Sequence, residues 1–448
     1  MGGLYLIIGP LLTPRDGDLY WQRWLGNFIL TTHHLPRALG NETFTASGAP
    51  WVPQEWLFSV IVAVATNQHW FFALQVAVSS IPGLILLLLY FRCTDDRAAT
   101  GIAILLCGIA MLESFGVRAQ VLGWGAFAAF LYLLERRDRW YYAAIAVTVL
   151  WANLHASVAL APAVVAARLL GTLLDGGPAR LGKDRDLLML PLTALATCAS
   201  PLGWRLPAFA LSFVGSPIRH YILEWQPPSL NDTSFLLGAV PLGLAILFGG
   251  KATLLQRKRA TLMAALLFAA ALGAERNVPL FAIAAAPLAA VGIAARWPRL
   301  RDLNQRLAPM LPAAAVLSCV AFAFAAAAMA RVRGNEPSRL PVSAIAQIGA
   351  FGGEHHLFCE DFTWCSVALA YPGLHVFIDG RCDAYPLPVW RQYTSALAAG
   401  ESWSRPLMHY GVDVVVVKDG SRFAHALANS AQWRRSFADR GFLVYRRA

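Results

Sequence analysis

Charged residues are scarce in this sequence. Asp, Glu, Lys and Arg make up 14% of its 448 residues, and hydrophobic residues make up 57%, whereas a soluble globular protein carries about 25% charged residues. This composition excludes an ordinary soluble domain and predicts a polytopic α-helical membrane protein. The formal net charge of +11 does not by itself indicate a nucleic-acid partner, because the positive charges follow a topological pattern.

Three further absences narrow the function. Residues 338–448 contain neither a Gly-x-Gly-x-x-Gly motif nor a phosphate loop, so we expect no nucleotide site there. Cysteine and histidine show no metal-site spacing, and the adjacent pair His33 and His34 has no third ligand nearby. We therefore predict no metal centre of that kind. The chain also shows no internal repeat, which disfavours a transporter.

Long apolar runs are abundant, and about 20 apolar residues suffice for a helix to cross a bilayer. We predict about eleven spans, beginning with "LYLIIGPLL", which is too short to cross alone. This shortness leaves open whether further residues precede it. A cleaved signal peptide is the alternative, although no small-residue cleavage site follows. The other predicted spans are residues 69–91, 101–114, 119–134, 140–152, 156–174, 186–199, 235–249, 259–275, 277–295 and 308–331.

The distribution of Lys and Arg predicts the orientation of these spans. One alternating set of linkers holds sixteen Lys or Arg in 47 residues, and the other holds seven in 89. The positive-inside rule makes the first set cytoplasmic. The first set is 92–100, 135–139, 175–186, 250–259 and 296–306. The second, outer set is 15–54, 114–119, 152–156, 200–234 and 275–277.

This topology divides the chain into two predicted domains. Residues 1–331 form a transmembrane domain with a cytoplasmic N-terminus and an outer loop at 13–68, and residues 338–448 form an extracytoplasmic domain. The apolar segment 54–66 would invert every later linker if it crossed the membrane. We therefore predict a helix lying at the outer interface, anchored by Trp51 and Trp56.

Ionisable and polar residues concentrate in the outer linkers. Such groups at membrane depth are costly and usually face a water-filled cavity or one another. Helix capping and headgroup contact are the simpler interpretation, and the lining of one outward cavity is the functional one. The predicted cavity-lining residues are Glu55, Glu113, Asn153, His155, His220, Glu224 and Glu275.

The stretch "TPRDGDLYWQRW" places two acids directly after the first apolar run. Asp18 is a candidate N-cap for the helix that follows, which accounts less well for Asp16. Two carboxylates so close together can also hold a divalent cation, or one of them can act as a general base.

These features resemble the GT-C superfamily, integral-membrane glycosyltransferases that use polyprenyl-phosphate sugars. The branch most similar contains protein O-mannosyltransferases and lipid A aminoarabinose transferases. The resemblance is carried by the span count, the trailing outer domain, and an outer loop reading "RDGDLYWQRWLGNFI", "HHLPR" and "ASGAPWVPQEWL". Asp16, with Tyr20 four residues later, matches the family's catalytic acid and its following Tyr. Family acids are often adjacent, whereas Gly17 separates them here, so Asp16 and Asp18 both stay catalytic candidates.

The chemistry implied by the resemblance needs positive charge as well as a base. A carboxylate takes the proton of an acceptor hydroxyl, and the leaving lipid phosphate gains charge that cations or a metal stabilise. Arg118, Arg219 and Arg276 are the candidate donor-phosphate ligands, since a guanidinium matches phosphate geometry. His155 and His220 are weaker candidates. The implied partners are a polyprenyl-phosphate sugar, a glycan, lipid or protein acceptor, and membrane lipids.

Residues 338–448 alternate strand-like and helical patterns, which predicts a small α/β domain. Strands are predicted within 375–380, 412–420 and 442–447, and helices at "PVWRQYTSALAAG" and "RFAHALANSAQWRRSF". In "FIDGRCDAY", Asp379, Arg381 and Asp383 follow a strand end. They are candidates for ligand contact or for an internal salt-bridge cluster.

The cysteines divide between the two predicted domains. In the outer domain, where disulfides are permitted, Cys359 and Cys365 can pair, with Cys382 as competitor. Cys93, Cys107, Cys198 and Cys319 lie in or beside spans, and we expect them to be inert.

Three functions remain open from the sequence. The first is a glycosyltransferase at the outer face of the cytoplasmic membrane, which the one-sided polar loops favour. The others are a transporter or lipid-binding protein with an outward cavity, and a non-catalytic assembly partner with the same fold.

Overall fold

The computed structural model describes residues 17–112, 115–300 and 340–448, which form two compact units. Residues 72–112 and 115–300 belong to a helical unit. Residues 17–71 and 340–448 belong to a second unit, so the outer loop and the C-terminal region fold together. The predicted first span, the predicted span 308–331, Asp16, Glu113 and Cys319 lie outside the described residues.

Most described helices before residue 300 follow the predicted apolar runs or the helices predicted in the outer loop. The helix Arg205–Val214 is an exception, since it lies within the predicted linker 200–234, where no helix was predicted. Two of them, α1 and α2, belong to the second unit, and the rest to the helical unit. They are α1 Asp18–Thr32, α2 Trp56–Asn67, α3 Phe71–Arg92, α4 Arg97–Ala110, α5 Ala119–Leu134, α6 Ala143–Leu154, α7 Leu160–Leu181, α8 Asp186–Ala196, α9 Arg205–Val214, α10 Val240–Phe248, α11 Lys258–Gly273 and α12 Val278–Arg296.

Three described helical segments are long and apolar enough to cross a membrane. They are Phe71–Arg92, Ala156–Leu181 and Glu275–Arg296, and six shorter apolar helices accompany them. The predicted number of spans therefore stays a prediction. One boundary was wrong: α7 continues to Leu181 with a break at Gly177 (φ 66°), so most of the predicted linker 175–186 is helical.

Helix α12 is the central element of the helical unit. It packs against α4, α5, α10 and α11. Of the most apolar stretch within Glu275–Arg296, 78% is buried inside the protein. Small residues make this packing close. A Cβ at Gly292 would lie 2.0 Å from the carbonyl oxygen of Ala245. Because glycine has no side chain, the backbones of α10 and α12 can contact each other directly at this point.

Contacts in the helical unit group four of the predicted cytoplasmic linkers. Arg92 forms an ion pair with Glu135 at 2.7 Å, and Arg185 donates to the carbonyl of Arg136 at 2.9 Å. The buried carboxylate of Asp186 accepts from Arg168 at 2.8 Å and from Arg259 at 2.5 Å. Linkers 92–100, 135–139, 175–186 and 250–259 thus meet at one end of the helices, as an alternating topology requires.

The second unit contains a five-stranded mixed sheet in the order β2-β1-β3-β5-β4. Strand β1 is parallel to β2 and β3, while β5 is antiparallel to β3 and β4. The elements after residue 340 are α13 Val342–Gly349, β1 His355–Cys359, α14 Phe362–Cys365, β2 Leu374–Val376, α15 Leu387–Leu397, α16 Ser404–His409, β3 Val414–Lys418, α17 Arg422–Ala428, β4 Trp433–Asp439 and β5 Phe442–Arg447.

The predicted small α/β region is confirmed, with two corrections. Strand β1 was not predicted, and the predicted helix from Arg422 ends at Ala428, after which Trp433–Asp439 is the edge strand β4. A disulfide joins Cys359 and Cys365, and Cys382 lies outside it.

The outer loop is joined to the sheet at its other edge. Thr43 forms a parallel bridge with Val376 of β2, whose N–H donates to the carbonyl of Glu42 at 2.9 Å. The Phe44 ring stacks on His356 of β1 with centroids 4.1 Å apart. The edge of β2 is thereby covered, which protects an otherwise open strand.

The attachment of this loop depends on pH through His375. Its ring bonds to the Glu354 carboxylate and, at 2.5 Å, to the carbonyl of Asn41. Burial alone would lower the pKa of His375, but the bonds to Glu354 and Asn41 outweigh it, and the pKa is raised above its usual value.

We therefore expect the loop at 41–45 to be held most firmly below about pH 6.5, the unfolded histidine pKa. This contribution should be lost as the pH rises through the raised folded pKa. Hydrogen exchange of the amides at 41–45 across this pH range measures it, with His375→Asn as control. The same pH dependence in wild type and variant would contradict the assignment.

Candidate functional site

Arg276 lies at the centre of a polar cluster in the helical unit. It occupies a 3-10 turn, Glu275–Asn277, directly before α12. Its Nη2 atom lies 3.4 Å from Gln120 Oε1 and 3.3 Å from His155 Nε2. Its guanidinium carbon lies 4.4 Å from the ring centroid of Trp225, within the range of a cation–π contact. We call the following six residues the outer arginine cluster: Arg118, Gln120, His155, Glu224, Trp225 and Arg276.

His155 is held in one orientation by the turn that follows α6. Its Nδ1 atom accepts the backbone N–H of Ser157 at 3.1 Å, and it lies 2.8 Å from the Ser157 hydroxyl. That hydroxyl in turn accepts the indole N–H of Trp151 at 3.0 Å. Because Nδ1 is the acceptor, the neutral ring carries its proton on Nε2, which is the atom that faces Arg276.

The electrostatics of this pair favour an anion. His155 is 5% exposed, and its burial, followed by the nearby charge of Arg276, lowers its pKa to about 3. The ring is therefore neutral at physiological pH. Two N–H donors, one from His155 and one from Arg276, face each other across 3.3 Å. An anionic oxygen beside the pair, at about 2.8 Å from each nitrogen, would accept a hydrogen bond from both.

Arg118 and Glu224 form an ion pair within the same cluster. Burial alone would raise the pKa of Glu224, but Arg118 and then Arg276 outweigh it, and the pKa is lowered. Glu224 is thus a carboxylate that already neutralises Arg118. The side chains nearest to the Arg276 Nη2 atom, by contrast, are the neutral groups of Gln120 and His155, which makes Arg276 the better anion ligand of the two.

The remaining predicted residues of the helical unit occupy supporting positions. Arg219 donates to three backbone carbonyls, those of Val214 at 2.5 Å, Trp225 at 3.3 Å and Gly273 at 2.7 Å. It therefore fastens the loop that carries Trp225. Asn153 donates to the carbonyls of Val149 and Ala199, each at 2.8 Å.

Two further residues lie beside the cluster. His220 is exposed, and its carbonyl accepts from Gln226 at 3.0 Å. The backbone N–H of Glu275 donates to the carbonyl of Gln226 at 2.9 Å. The linkers at 115–119, 152–156, 200–234 and 275–277 thus meet at one end of the helical unit.

The acid–Gly–acid step leads into the second unit. Gly17 is the N-cap of α1 and Asp18 is its first helical residue, so the interpretation of Asp18 as the N-cap was wrong. The Oδ1 atom of Asp18 instead accepts the indole N–H of Trp21 at 3.1 Å. Glu55, at the start of α2, accepts from Gln22 of α1 at 2.7 Å.

The "FIDGRCDAY" segment contains a buried ion network. Arg381 is 1% exposed, donates to both carboxylate oxygens of Asp379, and reaches Glu42 at 2.6 Å. Its guanidinium carbon lies 4.9 Å from the Trp24 ring and 5.2 Å from the Trp51 ring. Burial alone would lower the pKa of Arg381, but the charge of Asp379 outweighs it, and the pKa is raised.

This network decides the roles of Trp51, Asp379 and Arg381. Trp51 is 3% exposed and packs on Arg381, so the prediction that it anchors a helix in the interface was wrong. Asp379 and Arg381 form an internal salt bridge, one of their two predicted roles, while Asp383 lies half-buried in the turn Cys382–Ala384.

Sequence reasoning missed the polar partners of both arginines. Gln120 donates to the carbonyl of Arg276 at 3.2 Å, and it stood out only as an amide inside an apolar helix. Glu42 lies in a polar loop with no distinguishing pattern. Within the part of the chain that the structure describes, no group of three or more His, Cys, Asp or Glu side chains is arranged to hold a metal ion.

No protein-family model matches the chain, and no curated protein matches it in sequence. Among solved structures, the chain is similar to the archaeal oligosaccharyltransferase AglB from Archaeoglobus fulgidus, which was solved in complex with an inhibitory peptide and a dolichol-phosphate. The TM-score is 0.55 at 14% sequence identity, and the match covers 92% of this chain and 69% of AglB.

This likeness shows a fold shared with an oligosaccharyltransferase. The three described helical segments that are long and apolar enough to cross a membrane agree with the predicted membrane localisation.

Proposed function

We propose that this chain is a membrane glycosyltransferase that moves a sugar from a polyprenyl-phosphate donor to an acceptor hydroxyl. The reaction would take place at the outer face of the cytoplasmic membrane, which is where the charge distribution predicts the outer linkers to lie. The proposal combines the GT-C-like fold, the outer arginine cluster and the acids at the start of the outer loop.

The observation that carries the proposal is the pair of facing donors on Arg276 and His155. The two nitrogen atoms lie 3.3 Å apart, and His155 is buried. A phosphate oxygen that approached both groups would be bound firmly, because it accepts several charge-assisted hydrogen bonds at once. The guanidinium carbon of Arg276 also lies 4.4 Å from the centroid of the Trp225 ring.

The proposed chemistry needs one base and one stabilised leaving group. Asp16, or Asp18, takes the proton of the acceptor hydroxyl, and the resulting oxygen attacks the anomeric carbon. The bond between that carbon and the phosphate oxygen breaks, and its electron pair stays on the lipid phosphate. The phosphate thereby gains one negative charge, which Arg276 and His155 stabilise by hydrogen bonding.

Asp16 and Asp18 are also proposed as candidate ligands of a divalent cation. No step depends on it, since Arg276 and His155 supply the phosphate contacts. The AglB complex supports the lipid part of the proposal, because its dolichol-phosphate belongs to the class of lipid phosphates proposed here.

The test is sugar transfer by the purified protein in proteoliposomes. Polyprenyl-phosphate donors carrying different labelled sugars are supplied with hydroxyl acceptors, and labelled product is measured. Transfer is the expected result. Movement of the lipid across the bilayer without transfer would instead favour a transporter. Neither transfer nor movement would favour the assembly-partner interpretation.

Replacement of Arg276 by Ala should weaken donor binding. A hydrogen bond to a charged group contributes about 1.5–3 kcal/mol, so the donor KM should rise about 10- to 100-fold. Arg139→Ala is the matched control, because Arg139 also lies over a tryptophan, Trp140, but at the predicted cytoplasmic end. Equal effects of the two substitutions would contradict the phosphate role.

A further inference from the structure

Gly17, the N-cap of α1, lies against the C-terminal region without room for a side chain. A Cβ at Gly17 would lie 2.4 Å from the carbonyl oxygen of Thr363. The backbone of Gly17 has φ −58° and ψ −29°, values that any residue adopts. Glycine is therefore required here by the close approach of two backbones and not by an unusual conformation.

A second glycine makes the same kind of contact with Asp18. A Cβ at Gly380 would lie 2.4 Å from Asp18 Oδ1 and 2.8 Å from Trp21 Cδ1. The N–H of Gly380 donates to the fully buried hydroxyl of Ser366 at 3.0 Å. The backbone at Gly380 thus faces the carboxylate of Asp18 from a fixed position.

The ion network next to Gly380 explains why that position is rigid. Gly380 lies between Asp379 and Arg381, whose side chains are fully buried and bonded to each other. Arg381 also packs on Trp24 of α1, six residues after Asp18. The C-terminal region therefore contacts α1 at the Gly17–Asp18 step and again at Trp24.

From this arrangement we propose that the C-terminal α/β region is a positioning element for Asp18, acting through the backbone of Gly380 and of Thr363. Gly17 and Gly380 are positioning residues, because Gly17 packs on Thr363 and Gly380 packs on Asp18. The inference rests on the proposed function. It also accounts for the sequence pattern, because a side chain between the two acids would clash with Thr363.

The expected effect follows from the precision that catalysis needs. A misplacement of about 1 Å can lower a rate about 100-fold. A methyl group at Gly380 must displace Asp18 or Trp21, since 2.4 Å is far below any ordinary carbon–oxygen contact. Gly380→Ala and Gly17→Ala should each lower kcat about 10- to 100-fold and leave the donor KM unchanged.

Gly400→Ala is the matched control in the same unit, because a Cβ there meets nothing within 4 Å. Two readouts accompany the kinetics: the acid limb of the pH–rate profile, and hydrogen exchange of the amides at 17–22. We expect both to change in Gly380→Ala and Gly17→Ala, and neither in Gly400→Ala. A merely structural defect would lower the amount of folded protein and leave the pH profile unaltered.

The outcomes separate this inference from the proposed function. Transfer by wild type with normal kcat in both glycine variants would overturn the positioning role alone. If Gly380→Ala does not fold, Gly17→Ala, at which a different contact is lost, decides. Absence of transfer by wild type, with intact hydrogen-exchange protection at 17–22, would overturn the proposed function and the catalytic meaning of the docking together.

Discussion

Replacement of Asp16 by Asn should lower the rate of sugar transfer about 10²- to 10⁴-fold, the usual cost of removing a general base. Asparagine keeps the size of the side chain and most of its hydrogen bonding, but it cannot take the proton of the acceptor. Donor binding should change little, because the proposed phosphate contacts are made by Arg276 and His155. The measurement is single-turnover transfer at matched protein levels.

Asp18→Asn distinguishes the two acids. Since Asp18 Oδ1 accepts the indole N–H of Trp21, an asparagine oxygen can keep that bond, so stability should change little and the rate should report the lost charge. We expect a smaller decrease than for Asp16→Asn. Asp95→Asn, at an exposed position of a predicted cytoplasmic linker, is the control.

Full activity in both single variants and in the double variant would rule out the catalytic assignment. The transporter or assembly-partner interpretation would then become the leading one. A larger loss in Asp18→Asn than in Asp16→Asn would keep the mechanism and exchange the two roles.

Replacement of Arg381 by Met should destabilise the second unit by about 3–5 kcal/mol, the range found when one partner of a buried ion pair is removed. The carboxylates of Asp379 and Glu42 would remain buried near each other without their common cation. The packing of the guanidinium between Trp24 and Trp51 would be lost as well. Hydrogen exchange of β1 and β3 measures the change.

A second substitution tests whether the loss comes from unpaired charge. Asp379→Asn combined with Arg381→Met removes the pair together, and we expect part of the stability to return, because no carboxylate of that pair remains uncompensated. Arg434→Met on the exposed face of β4 is the control and should be within about 0.5 kcal/mol of wild type. An Arg381→Met protein of unchanged stability would show that the network contributes little.

Local patterns predicted most of the elements. Apolar runs placed most of the described helices to within a few residues, because each helix satisfies its own backbone hydrogen bonds and needs only apolar side chains around it. The helix α9 was missed, and α7 extends beyond its predicted end. Strands β3 and β5 were predicted from runs of β-branched and aromatic residues. Strand β4 was not, since "WRRSFAD" has no strict alternation and becomes a strand only by pairing with β5.

The candidate site was predicted in part for a similar reason. Arg118, His155, Glu224 and Arg276 were singled out because ionisable groups at membrane depth are costly, and the structure brings these four together. It also divides the arginines by role. Arg219 is bonded to backbone carbonyls and Arg118 to a carboxylate, whereas Arg276 faces an imidazole. No spacing in the sequence distinguishes the three.

The sequence by itself determined the class of environment, the helices and the residues worth testing, because hydrophobicity and charge act through free energies that are large and local. The tertiary structure decided the partners. Glu42 reaches Arg381, and Gly380 abuts Asp18, across more than 300 residues of chain. Such contacts depend on how distant segments pack, and packing distances have no signature in the order of residues along the chain.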